Sequence, residues 1–521
     1  MSDASVKLSP EPKTSFNVAR LELDNVERYG AYVRLHYEDR SYTNFEELQY
    51  AGRIARVLMD RGVKPGDRVM AVMPNIPELT ATIQAVWTIG AVLTPVTPQW
   101  TAAEIGYALR NSGAVAVVTC APLAARVREA ANGVSTLKHL LVFGATDVPG
   151  MVNIAPEVAD APCRNTPVDR SPSDMAMLLY TSGTTAKPKG VVLTHANIPA
   201  AMQAVERVNP DLPRRPMLHV LPLTHIFGSL MLQLSNRWGF QSVLVRHFDP
   251  VGIFEAVQRH QIGYVLMVPT MLVYLLHHPA RPQYDFTSLY RIITGGASLP
   301  EQLRLGFQQA FRCRVDQGYG MSETGFASCY GDHESYRNGS VGWPCPGFEI
   351  RIVDEQNRPL PPRSVGEICM TGASITPGYW QDPVATRESF HGSWFRTGDI
   401  GYVDEDGYLY ITDRKKDLII KGGENISPRE IEEVIYLHPA VAETAVVGIP
   451  NALFGEDICA VIQLRPGAEA TEDEIREHVA RFLTKFKVPS RVVFQAALPK
   501  NSTGKINKMA IREQLAMPEA A

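Results

Sequence analysis

Tyr180-Thr181-Ser182-Gly183-Thr184-Thr185-Ala186-Lys187-Pro188-Lys189-Gly190 follows the apolar run Met175 to Leu179 and precedes another, Val191 to Leu193. Apolar, then rich in hydroxyls and glycine, then apolar again, the stretch reads as strand, mobile loop, strand. The backbone N–H groups, hydroxyls and lysine ammonium groups of such a loop can converge on a polyanion. It is not a Walker A loop, because no Gly-x-x-x-x-Gly-Lys-Ser/Thr occurs and no helix pattern follows directly. Its plain alternative is a surface loop, since Gly, Ser, Thr and Pro dominate those. The segments downstream decide between the two.

Outward from this loop, Asp67 to Val245 alternates short apolar runs with helical patterns. Arg68 to Met73, Ala114 to Thr119 and His139 to Phe143 read as buried strands, and Pro77 to Ile89 as a helix. The rhythm returns in Ser242 to Arg246, Val251 to His260 and Gly263 to Val268. Strands separated by helical segments imply βαβ units and mainly parallel sheets. From Gly347 to Tyr410 the texture becomes short alternating runs broken by Gly, Pro and Asp, which suits hairpins or a small barrel. After Asp413-Arg414-Lys415-Lys416-Asp417 comes a compact α+β segment. Its helix Glu430 to Leu437 and strands Glu443 to Ile449 and Asp457 to Leu464 are followed by a capping box at Thr471 to Glu474. The expected fold is α/β: two βαβ-type sheets and a small β-barrel in residues 1–415, and a small mobile α+β domain in 416–521.

A chain of 521 residues exceeds the usual limit of one hydrophobic core. With 45% hydrophobic and 20% charged residues, its composition is ordinary for a globular protein. A formal net charge of -4 supplies no long-range attraction to nucleic acid or to an anionic membrane. An anionic substrate must therefore be held by local groups. The seven scattered cysteines contain no C-x-x-C, which argues against a zinc site and suits a reducing cytoplasm. No signal peptide and no transmembrane run is apparent.

Four further segments acquire meaning only together. Gly295-Gly296-Ala297-Ser298 follows the strand-like Arg291 to Thr294 and leaves bare backbone for a flat ligand. Gln317-Gly318-Tyr319-Gly320-Met321-Ser322-Glu323-Thr324 brings a ring, a hydroxyl and a carboxylate close together. Trp394 to Asp399 ends in a carboxylate suited to two sugar hydroxyls. Pro499 to Lys505 sets a lysine just after a glycine. In this order and at these distances they resemble the adenylate-forming enzymes, the superfamily of acyl-CoA synthetases, nonribosomal adenylation domains and firefly-type luciferases. The resemblance runs from about Ser41 to Leu515.

That resemblance implies roles position by position. Thr181, Ser182, Gly183, Thr184, Thr185 and Lys189 correspond to the loop gripping the β- and γ-phosphates of ATP. Gly295, Gly296 and Ala297, with Gln317, Gly318 and Tyr319, correspond to the adenine slot. Ser322 would lie near the α-phosphate, Glu323 would help to hold Mg2+, and Asp399 with Arg414 would take the ribose. Lys416 falls at the hinge of the C-terminal domain. Lys505 would approach the carboxylate and α-phosphate during adenylation, and His225 would gate the acyl pocket. Gly422 and Gly423 would line the passage for the pantetheine of coenzyme A. The implied reaction joins a carboxylic acid to CoA through an acyl-AMP, with release of pyrophosphate and AMP. Partners are small molecules, with a homodimer as the candidate assembly.

Three positions depart from the family pattern. Ala186 stands where Gly is usual and is expected at negative φ, because left-handed geometry costs a non-glycine residue roughly 1–2 kcal/mol. Thr97 stands where relatives carry Asn, a change without an interpretation from sequence. Ile420 replaces a lysine used by luciferases and counts against light emission. The apolar Ile226, Phe227, Leu230 and Met231 favour a medium- or long-chain fatty acid. An aryl acid, or loading of a carrier protein, is the alternative within the same chemistry. A nucleotide-binding protein without catalysis is the alternative outside it, disfavoured by the presence of Lys505, Glu323 and Asp399.

Overall fold

The computed structural model describes residues 16–181, 188–332, 334–501 and 504–516. Ser182 to Lys187, with the φ expectation for Ala186, lie outside them, as do Ser502 and Thr503.

Two seven-stranded sheets form the body of the molecule. In the first, Val152–Asn153, His139–Phe143, Ala116–Cys120, Arg68–Val72, Val92–Val96 and Met175–Thr181 run parallel. Lys189–Thr194 closes that sheet as an antiparallel partner of Met175–Thr181, with Thr181 opposite Lys189. The strand–loop–strand reading of the opening stretch is thus a hairpin at a sheet edge. In the second, Arg314–Gln317, Arg291–Thr294, Tyr264–Met267, Met217–His219, Ser242–Leu244 and Val33–Tyr37 run parallel, and Arg40–Thr43 is antiparallel at the edge. Helix Pro77–Thr88 is buried nearly throughout and joins both sheets into one core. Its Trp87 is fully buried, with the indole N–H donating to the Ala176 carbonyl at 2.9 Å. Burying that indole without a partner would cost stability, so the bond fixes the helix in rotation as well as in depth.

The region expected to be a small barrel takes the form of a five-stranded antiparallel sheet. Phe348–Val353, Gly366–Gly372 and Trp394–Val403 form its centre, and Phe390–His391 and Leu409–Arg414 share the free edge of the third strand. Beyond Arg414 a separate sheet begins. It joins Glu424–Ile426, Ile419–Lys421, Gly455–Leu464 and Val441–Asn451, with Arg491–Phe494 parallel to the third of these. Helices Pro428–Tyr436, Glu472–Phe482 and Lys508–Ala516 accompany it. This sheet has its own buried clusters, centred on Ile431, Val446 and Ile462 and on Val447, Val461 and Leu498. Thr471 accepts from the Glu474 N–H while the Glu474 carboxylate accepts from Thr471, as the capping box requires. Thr43 and Thr101 open two more helices in the same way, each cap contributing about 1 kcal/mol.

Candidate active site

Tyr264–Met267, Arg291–Thr294 and Arg314–Gln317 lie side by side and parallel, so their carboxyl ends open on one crevice. Chain leaving a sheet at that end exposes backbone to a ligand. Gly295 to Ala297 leave the second strand there, and Gly318 and Tyr319 leave the third. Gln317 Nε2 donates to the Ala297 carbonyl at 3.1 Å, and the Gly318 N–H donates to the Thr294 carbonyl at 2.8 Å. Gly296 has φ +79, and a side chain there would collide with the Lys505 ammonium. The left-handed backbone favours glycine at 296, and its bare Cα is what lets that lysine lie so close.

Asp399 sits on the antiparallel sheet directly opposite Arg414 in register. Its carboxylate accepts the Tyr319 hydroxyl at 2.6 Å and meets Arg414 Nε at 3.1 Å, while its own N–H donates to Thr397 Oγ1 at 3.1 Å. Burial, and then the Asp399 charge, push the Tyr319 phenol well above its ordinary range, so it stays a donor. The structure therefore brings together the adenine-slot and ribose residues named from sequence.

Lys505 reaches the same crevice from the C-terminal sheet. Its loop is closed by two bonds: the Lys505 N–H donates to Asn501 Oδ1 at 3.0 Å, and the Asn501 N–H donates to the Lys505 carbonyl at 2.8 Å. Loss of water around the ammonium, with the nearby Arg414 charge, lowers its pKa to about 8. His225 opens helix Ile226–Trp238, its Nδ1 accepting the Phe227 N–H at 3.4 Å. Burial, then the Lys505 charge, lower its pKa to about 3, so the ring is neutral. It serves both as a satisfied cap and as part of a cavity wall. That cavity is lined by Leu221, His225, Phe227, Leu266, Phe326 and Lys505. A second apolar cavity lies further along the same sheet face, lined by Met217, Met231, Trp238, Tyr264 and Ile293. Leu266 and Phe326 escaped the sequence reading, because only the sheet register sets them beside Phe227.

Ser322 and Glu323 are buried where the third strand's chain turns back. The Glu323 Oε1 accepts the Tyr379 hydroxyl at 2.9 Å, and burial is the main influence raising its pKa. Lys189 Nζ lies 5.1 Å from the centre of the same Tyr379 ring. Tyr379 was not foreseen either; Gly378-Tyr379-Trp380 has no polar cluster to mark it. Thr181 and Lys189 flank the hairpin tip, whereas Ser182 to Thr185 lie outside the described residues.

The two glycines named for the pantetheine passage lie in a turn of the C-terminal sheet. Gly422 and Gly423, at φ +59 and +86, form the two-residue turn between Ile419–Lys421 and Glu424–Ile426. Gly422 donates its N–H to the Phe454 carbonyl at 2.8 Å, within the C-terminal sheet. Lys416, between Arg414 and Asp417, has its pKa lowered by burial and by Arg414.

The sequence profile of the AMP-binding enzyme family matches residues 23–380, and that of the AMP-binding enzyme C-terminal domain matches residues 430–505. The chain is 30% identical to a long-chain-fatty-acid–CoA ligase of Bacillus subtilis strain 168, over 94% of its length and 93% of the relative's. It is 34% identical to a feruloyl-CoA synthase of an Amycolatopsis species, over 91% and 94%. Among solved structures, ATP-bound MatB of Rhodopseudomonas palustris superposes with a TM-score of 0.88 at 29% identity, over 96% and 99% of the two chains.

Proposed function

Because the chain belongs to the AMP-binding enzyme family and is an AMP-forming acyl-CoA ligase using ATP, CoA and a carboxylic acid, we propose that its acid is an apolar monocarboxylate, a medium- or long-chain fatty acid. One observation carries this reading. The cavity beside Lys505 is walled by aliphatic and aromatic side chains, and Lys505 is the only cation among the described residues that line it. A second anionic group on the acid would be buried there without a counter-charge, which is costly. The second cavity extends the apolar face. There Arg291 is committed to Asp316 at 2.6 Å and Asn209 at 2.8 Å. An aryl acid held against the first cavity's wall is the second reading, favoured by the Phe227–Phe326 ring pair at 4.8 Å.

In the adenylation half-reaction the acid's carboxylate oxygen attacks the α-phosphorus, and the bond to the β-phosphate breaks with pyrophosphate leaving. Two anions must meet, so fixed positive charge and N–H donors lower the barrier by cancelling charge as it builds. Lys505 supplies that charge from above the Gly295–Gly296 backbone. Tyr319 stacks on the base, Asp399 and Arg414 hold the ribose, and Lys189 with the preceding hydroxyls holds the leaving phosphates. Glu323 is a hard oxygen donor and fits a Mg2+ that arrives with nucleotide phosphates, an ion that keeps much of its own water. No cluster of three ligating His, Cys, Asp or Glu side chains occurs among the described residues, as suits such an ion. When bound, that ion would offset phosphate charge. In the second half-reaction the CoA sulfur attacks the acyl carbon and AMP leaves, with Gly422 and Gly423 turned into the place of Lys505 about a pivot at Lys416.

Pyrophosphate release measured with acids from butyrate to palmitate, and with benzoate, cinnamate and succinate, tests the reading. The highest kcat/KM is expected for an aliphatic monocarboxylate longer than hexanoate. A preference for succinate would contradict it, and a preference for cinnamate would select the second reading.

A further inference from the structure

The backbone from Ala373 to Trp380 is stitched to the strand that leaves the opening hairpin. The Trp380 N–H donates to the Gly190 carbonyl at 2.7 Å, and the Val192 N–H donates to the Gly378 carbonyl at 3.1 Å. Thr376 Oγ1 donates to the Val192 carbonyl at 2.6 Å, and Asn197 Nδ2 reaches the carbonyls of Ala373 and Ile375 at 2.8 and 3.0 Å. The Thr376 N–H donates to the Glu323 carbonyl at 2.7 Å, which ties the same segment to the buried acidic turn. The Tyr379 N–H is held by Thr386 Oγ1 at 3.0 Å. The Tyr379 ring is in turn packed, partly buried, against the main core.

From that anchored position one phenol addresses two opposite charges. Its hydroxyl donates to Glu323 Oε1 at 2.9 Å, and its ring faces Lys189 Nζ at 5.1 Å. A carboxylate at the hydroxyl and an ammonium over the ring face each gain from the phenol: the first a hydrogen bond to a charged acceptor, the second the negative face of the ring. The two charges meet the phenol from different directions, the carboxylate at the hydroxyl and the ammonium over the ring face, so one side chain holds each in its own place. A lysine and a glutamate free to meet in a half-buried site would pair, and the pair would withhold both charges from an incoming nucleotide.

We infer that Tyr379 is a positioning residue that spaces Lys189 from Glu323, holding the lysine for the phosphates and the carboxylate for the divalent ion that accompanies them. This rests on the roles proposed above for those two residues. The two arms of the phenol separate by substitution. Tyr379→Phe keeps the ring and removes the hydroxyl, while Tyr379→Leu removes both.

The test is ATP affinity, measured by calorimetry with Mg2+ and with EDTA, alongside the Mg2+ dependence of pyrophosphate release. Tyr379→Phe is expected to raise the Mg2+ concentration for half-maximal rate by about tenfold, the lower range for loss of a ligand's hydrogen-bond partner. It should leave ATP affinity in EDTA within twofold of the parent. Tyr379→Leu is expected to weaken ATP binding in EDTA as well. Glu323→Gln serves as the control: a parent-like Mg2+ dependence there overturns the role of Glu323 itself. If Glu323→Gln shifts the Mg2+ dependence and Tyr379→Phe does not, the spacing role is overturned. Equal changes of both Tyr379 variants in the Mg2+ and EDTA arms, tracking a lowered melting temperature, also overturn it by making the residue merely structural.

Discussion

Lys505 and the Gly422-Gly423 turn belong to the same C-terminal unit, yet their surroundings differ. The lysine is wedged over Gly296 and sits in the wall of the apolar cavity, where lost hydration lowers its pKa to about 8. The turn is held through the Phe454 carbonyl of its own unit and has open space beyond Gly423. On the roles proposed above, this arrangement of the unit would complete a site for charge cancellation and leave the glycine turn idle. The contrast teaches that the two half-reactions need opposite properties at one place. Joining two anions needs a fixed cation, and admitting a thiol on a thin chain needs that cation gone and bare backbone in its stead.

Substitutions that touch one element and not the other can break this contrast. The largest effect is expected for Lys505→Ala, which should slow pyrophosphate release by about 10²–10³-fold, the range for one preorganised charge-stabilising group. Next comes Gly423→Ala. The added methyl meets nothing within 4 Å, so its cost is the left-handed backbone, roughly 1–2 kcal/mol. Transfer of the acyl group to CoA should slow by about tenfold while pyrophosphate release stays within twofold, as rapid-quench assays of each half-reaction would resolve.

A pH titration sharpens the same point. The pKa of Lys505 is lowered, so its charge is present below about pH 8 and lost as the pH rises through it. The kcat/KM for adenylation, which reports the free enzyme, should fall about tenfold per pH unit above 8. Lys505→Arg should remove that limb, since guanidinium stays charged. With its pKa at about 3, His225 stays neutral and adds no step of its own between pH 5 and 9. The smallest effect concerns the clasp that keeps Lys505 in place. Lys500 Nζ donates to the Tyr274 hydroxyl at 2.9 Å and pairs with Glu443 at 2.9 Å. The exposed Lys500–Tyr274 bond is worth at most about 1 kcal/mol. Tyr274→Phe should therefore lower the adenylation rate about twofold to threefold and leave the CoA step unchanged.

Much of this contrast is legible in the chain because its parts are local. The capping box at Thr471, the apolar run Met175 to Leu179 and the paired glycines at 422 and 423 carry their geometry in a few neighbouring residues. What escapes is long-range. Nothing near Val33–Tyr37 announces that it pairs with Ser242–Leu244. Tyr379 and Glu323 lie 56 positions apart, and a single phenol in an apolar setting carries no periodic signal. Leu266 and Phe326 join the cavity wall through sheet register and chain reversal, which a linear pattern does not encode. Strand ends also shift: Ser242 to Arg246 contracts to Ser242–Leu244, because both neighbouring strands end there, at Tyr37 and His219 opposite Leu244.

The account stands most directly on one measurement: thioester formation by Lys505→Ala from acyl-AMP supplied ready-made with CoA. If Lys505 serves adenylation alone and withdraws before the thiol attacks, this rate should stay within a few-fold of the parent while pyrophosphate release falls about 10²–10³-fold. Equal losses in the two half-reactions would contradict it.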